Sequence, residues 1–190
     1  MAACRAAGER LLHRRMRRIL PIAVLLLPLA AAAAEPAAKR PPDRADTPQP
    51  LGTFEAWTAA THHEADQLVC YAFTRVRSSS TKIAGRGDVI LSVTERPSGR
   101  DAVALSAGYT YPPGAEVRLQ VEKASFPLYT AQRSAFARDG HAVVAALLKT
   151  HAREIQTHAP ALRHLQVTDQ FSLRGFAQAY AAITKACPAK

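Results

Sequence analysis

His62, His63, Glu64 and Asp66 are the densest group of possible metal ligands in the sequence. A zinc site needs three or four ligands converging on one point, and neighbouring histidines on an extended chain point to opposite faces. The run therefore reads as a solvated loop between two strands. A small metal-dependent envelope hydrolase is the alternative, and it would use this His62–Asp66 cluster. His141, His151, His158 and His164 are scattered over a helical region, with no H-E-x-x-H spacing, and read as surface residues. Nucleophilic catalysis has no G-x-S-x-G to start from; Ser98-Gly99 suits a turn, and Ser106-Ala107-Gly108 suits a strand end. Any two of the acids could meet in space, but Asp88, Glu95, Asp101 and Asp139 fall where turns and caps take acids. Phosphate-binding Gly loops are absent from the sequence. The expectation is a protein without catalytic residues, metal or cofactor.

Arg86-Gly87-Asp88 spells the tripeptide through which extracellular proteins engage integrins. That use needs an exposed loop tip. Here Gly85 and Gly87 suit a turn and Asp88 opens a strand, which accounts for the residues without a receptor. Arg86 and Asp88 stay candidate binding residues, together with Tyr109 and Tyr111, which flank a turn and are the aromatics expected at the surface. Trp57, Tyr71, Phe73, Phe126, Tyr129, Phe136 and Phe171 are expected to pack in the core, with a ligand cavity between sheets as the alternative.

The elements that must position these groups are mostly strands. Val89, Leu91 and Val93 alternate with Ile90, Ser92 and Thr94; Val103, Leu105 and Ala107 repeat the pattern, and Val117, Leu119 and Val121 do so most cleanly. Turn chemistry falls between them, R-P-S-G-R at 96–100 and Y-P-P-G-A at 111–115. Residues 54–61, 67–76, 124–129 and 165–171 are further strand candidates. Two segments read as helices. Residues 139–151 carry Val143, Val144, Leu147 and Leu148 behind Asp139 as N-cap. The second begins at Ser172 as cap and repeats Leu173, Phe176, Tyr180 and Ile183 at steps of three and four. Numbered from Leu173, Phe176 lies at about 300°, Cys187 at about 320° and Tyr180 at about 340°, so Cys187 points inward. The fold expected is mainly β, an antiparallel sandwich or open barrel with one middle helix and one C-terminal helix packed on it.

The chain has 190 residues and a net charge of +10. Half of that charge lies in the first 34 residues, where six arginines face one acid, Glu9. That segment has a basic start, an apolar core from Ile19 to about Leu29 and a run of alanines, the form of a secretory signal peptide ending at Ala34. The apolar core is short of the roughly 20 residues that span a bilayer. Residues 35–50, with five prolines and no large apolar side chain, read as a disordered tether, and residues 51–190 as the folded domain. The remaining charge, without aromatic-basic interleaving, does not suit nucleic acid. Removal of the leader takes Cys4 with it and leaves Cys70 and Cys187. In an oxidising compartment they read as a disulfide, with a reactive thiol or a metal ligand as alternatives. The bond would close a loop of about 118 residues, for which chain entropy gives on the order of 4 to 5 kcal/mol as an upper figure.

Five segments carry a family resemblance: F-E-A-W at 54–57, V-C-Y-A-F at 69–73, R-G-D-V-I-L-S-V-T-E-R-P at 86–97, A-G-Y-x-Y-P-P-G at 107–114 and F-S-L-R-G-F-A-Q-A-Y-A-A-I-T-K-A-C at 171–187. In this order and spacing the chain resembles the invasion-associated locus B family of exported bacterial proteins. The resemblance implies a compact β-rich domain in the periplasm or outer envelope, with no established catalytic residues. Its partner is an unknown envelope or surface component, and no transmembrane segment is expected once the leader is removed.

Overall fold

Residues 47–161 and 165–189 are described by a computed structural model; the expected leader, most of the tether and His164 lie outside them. The alternating segments become antiparallel strands. They are β1 (Gln49–Phe54), β2 (Trp57–Glu64), β3 (Gln67–Arg75), β4 (Ser78–Ser79), β5 (Ile90–Arg96), β6 (Gly99–Ser106), β7 (Glu116–Val121), β8 (Ala124–Ala131) and β9 (Ser134–Ala137). Helix α1 (Gly140–Lys149) follows, then β10 (Glu154–Pro160), β11 (Gln166–Ser172) and helix α2 (Phe176–Ala186).

All eleven strands form one antiparallel sheet in the order β1-β2-β3-β5-β6-β9-β8-β7-β10-β11-β4. Only two residues separate β3 from β4, yet β4 pairs with β11 at the far end, Ser78 opposite Gln170 and Ser79 opposite Asp169. The sheet therefore curls until its last strand is the continuation of its third, which makes an open barrel. Inward positions of the alternating strands fill it: Leu91, Leu105, Leu119, Leu128, Ile155 and Phe171 are all fully buried. Helix α2 lies against β1, β2 and β3 and α1 against β6. Trp57 joins α2 to the sheet, its ring 4.8 Å from that of Phe176 and its Nε1 donating to the Ser172 carbonyl at 2.8 Å.

The middle helix begins as its sequence predicts, with the Asp139 carboxylate accepting from the Ala142 N–H. Gly140 is fixed by contact: a Cβ there would lie 1.8 Å from the Asp101 carbonyl oxygen. Helix α2 starts later than expected. Ser172 ends β11 opposite Glu154, and the Leu173 N–H donates to the Arg153 carbonyl, so neither backbone is free to enter a helix. Gly175 takes the cap position at φ 86°, where a Cβ would meet the Phe54 carbonyl. Leu173 still faces the core and Cys187 closes the helix, as the wheel requires.

Several other differences share one cause. The expected strand 54–61 is two strands, because the chain reverses at Glu55-Ala56. The β1/β2, β2/β3, β7/β8 and β8/β9 hairpins all turn through two residues, the first being Glu55 (φ 51°), Ala65 (φ 53°), Glu122 (φ 50°) or Gln132 (φ 54°). Left-handed backbone costs a side-chain-bearing residue about 1–2 kcal/mol and is usually given to glycine, so the sequence carries no turn signal there. Strand β9 follows from one such hidden turn, and His158 stands on β10, where a helical region was expected. Strand β1 begins at Gln49, inside the proline-rich stretch; it is an edge strand with a register shift at Pro50, the setting in which proline is tolerated.

Candidate functional site

Each charged group inside the barrel is matched by another. Asp169 takes an inward position of β11, between Val167 and Phe171, and is 1% exposed. Arg86 reaches it from the loop before β5. Its Nη1 and Nη2 donate to the two carboxylate oxygens at 2.9 and 2.6 Å, its Nε to the Ala107 carbonyl at 2.8 Å and its Nη1 to Ser79 Oγ at 3.0 Å. The guanidinium also lies 5.2 Å from the centre of the Tyr109 ring. Breaking a buried pair of this kind by removing one partner costs about 3–5 kcal/mol, because the other charge is left bare.

The integrin-type tripeptide is thereby split. Arg86 points into the protein, while Asp88 is exposed and meets Arg75 at 2.7 Å. Tyr109 is half-buried with its hydroxyl donating to the Pro160 carbonyl, and burial pushes its pKa up to about 12. Tyr111 departs from the expectation of exposure: it is 6% exposed and stacks edge-on against Tyr109, with its backbone N–H donating to the Gln132 carbonyl. Its hydroxyl has no protein partner among the described residues, and burial again raises its pKa.

A second polar node joins Glu95 and Asp101 across the β5/β6 hairpin. Glu95 takes the inward register of Leu91 and Val93 and is fully buried. Its Oε1 accepts from the Asp101 N–H at 3.3 Å, and Arg100 Nε lies 2.6 Å from its Oε2. Arg100 also donates to the Cys187 carbonyl, so the node reaches the end of α2. Asp101, on a bulge at φ 54°, accepts from Tyr180 Oη at 2.6 Å and lies 2.8 Å from His141 Nδ1. Burial and the neighbouring Asp101 carboxylate push Glu95 up to about 7, against the pull of Arg100. Burial also works to raise Asp101, but its hydrogen bonds with Tyr180, His141 and Glu95 prevail and hold it low. A carboxyl raised towards neutrality beside one held low is acid–base chemistry in kind. Glu95 itself is shut off from solvent, while His141 at the other end of the node is 87% exposed.

The His62–Asp66 run does not assemble a metal site. His62 Nε2 is 3.2 Å from Glu64 Oε1, and Arg96 clamps the same carboxylate with two donors at 2.8 and 2.9 Å. That clamp draws Glu64 down to about 2. No group of three or more His, Cys, Asp or Glu side chains converges among the described residues.

A cleft of ligand size lies elsewhere among the described residues. It opens where the β1/β2 turn, the end of β3 and the end of β11 meet, has a volume of about 720 Å³ and is lined by Glu55, Phe73, Arg75, Arg77, Ser172 and Arg174 among others. The Ala56 N–H donates to the Arg174 carbonyl and Thr74 Oγ1 to the Ala56 carbonyl, which ties the three segments together behind the cleft. Each arginine meets one carboxylate: Arg75 with Asp88 at 2.7 Å, Arg174 with Glu55 at 2.6 Å, and Arg77 with Glu154. Their side chains are 60, 64 and 65% exposed in that order. Sequence reasoning missed this site, because its arginines are unremarkable singly and meet only through the fold.

Cys70 and Cys187 form a disulfide with their Cα atoms 6.0 Å apart, pinning β3 to the end of α2. No helix among the described residues is long and apolar enough to cross a membrane. A family model described as the invasion associated locus B (IalB) protein matches residues 57–184. No curated protein and no solved structure matches the chain.

Proposed function

The chain belongs to the invasion associated locus B family, and from that premise we propose that it is an exported, non-enzymatic binding or accessory module of the bacterial cell envelope. The observation that carries this reading is the allocation of polar chemistry. Arg86 and Asp169, and Glu95, Arg100, Asp101 and Tyr180, are committed to one another inside the fold. The groups left accessible, at the arginine cleft, are suited to holding a ligand rather than to bond cleavage. A disulfide that spans nearly the whole folded part is characteristic of proteins in an oxidising space, which agrees with delivery by the leader at 1–34 to the periplasm or outer envelope.

Fractionation of bacteria expressing the full chain tests it, with mass spectrometry and metal analysis of the purified product. The expected product begins at Glu35, has no free thiol, carries no stoichiometric metal and is found in the periplasmic or outer-envelope fraction. A full-length cytosolic protein with free thiols would contradict export. Stoichiometric zinc that disappears when His62 and His63 are both changed to alanine would contradict the non-enzymatic reading.

A further inference from the structure

We propose that the arginine cleft binds a phosphorylated sugar. This deepens the reading of the protein as a binding module and assigns it a site and a ligand class. The charge lining the cleft is the first ground: Arg75, Arg77 and Arg174 face one acid, Glu55, while the partner carboxylates Asp88 and Glu154 stand outside the lining. A guanidinium has five donors, and each of these three spends its ion-pair contact on one carboxylate.

Three guanidiniums suit a doubly charged phosphate better than a single carboxylate, and arginine matches phosphate oxygens two at a time. The sugar is argued from the rest of the lining. Phe73 presents a half-buried ring, held beside Tyr71 at 6.1 Å and opposite Thr58 in the ladder. A ring face of this kind receives the C–H face of a pyranose. The hydroxyls of Thr58 and Ser172 supply short polar partners within the same lining. A volume of about 720 Å³ is in the range that holds small-molecule ligands.

The test titrates glucose 6-phosphate into the full exported chain and follows heat and the recovery of intact ligand. Saturable binding is expected, with glucose and inorganic phosphate each at least tenfold weaker. The Arg77→Gln, Arg174→Gln double variant should lose at least tenfold in affinity, and Phe73→Leu should bring sugar phosphate towards the affinity of inorganic phosphate. Arg75→Gln, a single exposed change, gives a second reading should the double variant fail to fold. Vesicles carrying a phosphoinositide present the same group on a lipid. Recruitment that glucose 6-phosphate competes away assigns the lipid-borne form; binding of soluble glucose 6-phosphate without vesicle recruitment assigns the soluble one. The proposal is overturned if the folded parent shows no saturable binding of sugar phosphate, or if the arginine variants bind it as the parent does. Recruitment to phosphatidylglycerol vesicles alone would overturn it too. Release of inorganic phosphate during the titration would instead contradict the non-enzymatic reading and leave the site standing.

Discussion

Arg86 and Arg174 are the same residue type put to opposite uses. Arg86 is 9% exposed and donates to Asp169, Ser79 and the Ala107 carbonyl, with the Tyr109 ring against it. Arg174 is 64% exposed and meets Glu55 alone. The first is a joint between β11 and the loop that enters β5; the second holds one carboxylate and offers its remaining donors outward. Charge inside this protein is buried and paired within the fold, and charge at the cleft is paired but largely exposed.

Mutation makes that contrast measurable. Asp169→Ala strands the Arg86 guanidinium in the core and should have the largest effect, a loss of about 3–5 kcal/mol of unfolding free energy in denaturant titration. A loss under 1 kcal/mol would mean that the interior charge is not structural. Loss of the disulfide, by Cys70→Ala or by reductant, comes next at about 2–5 kcal/mol, read as a fall of several degrees or more in melting temperature. Identical melting with and without reductant would show that the bond contributes nothing.

The Glu95 node gives a smaller and pH-dependent effect. Its pKa is raised from 4.5 in the unfolded chain to about 7 in the fold. The folded state therefore binds this proton more tightly, and the stabilisation is complete below about pH 4.5 and lost as pH rises through about 7. Asp101, held low, works in the opposite sense only in more acid solution. The melting temperature should fall by a few degrees between pH 5 and pH 8, and Glu95→Gln should flatten that slope. An unchanged slope in the variant would assign the dependence to another group. Smallest of all, Arg75→Ala and Arg174→Ala should each cost under about 1 kcal/mol, since exposed ion pairs contribute little. A larger loss in either would erase the contrast with Arg86.

Legibility in the sequence followed the same division. Alternation at 89–93, 103–107 and 117–121 disclosed core strands because burial imposes a period of two. The Asp139 cap and the inward Cys187 were legible for similar reasons, local geometry acting on local sequence. Hairpins at Glu55, Ala65, Glu122 and Gln132 were hidden because ordinary residues occupy left-handed backbone there, held by the sheet on either side. The acid in the inward register of L-x-V-x-E at 91–95 is a signal of a buried polar node that alternation alone could have raised. Its partners could not be read, and neither could Arg86, which reaches Asp169 across 83 residues. The cleft was the least visible part, since Glu55, Arg75 and Arg174 come together only when β1/β2, β3 and β11 meet.

The central claim is that the exposed arginines, and none of the buried charge, receive the ligand. Ligand-induced thermal shift tests it directly, with the parent chain and the Arg77→Gln, Arg174→Gln variant melted side by side in rising glucose 6-phosphate. A ligand that binds only the folded state raises its melting temperature with concentration. The two proteins should melt within a few degrees of each other without ligand, and only the parent should climb as ligand is added. Equal shifts in both, or no shift in the parent, would contradict the claim.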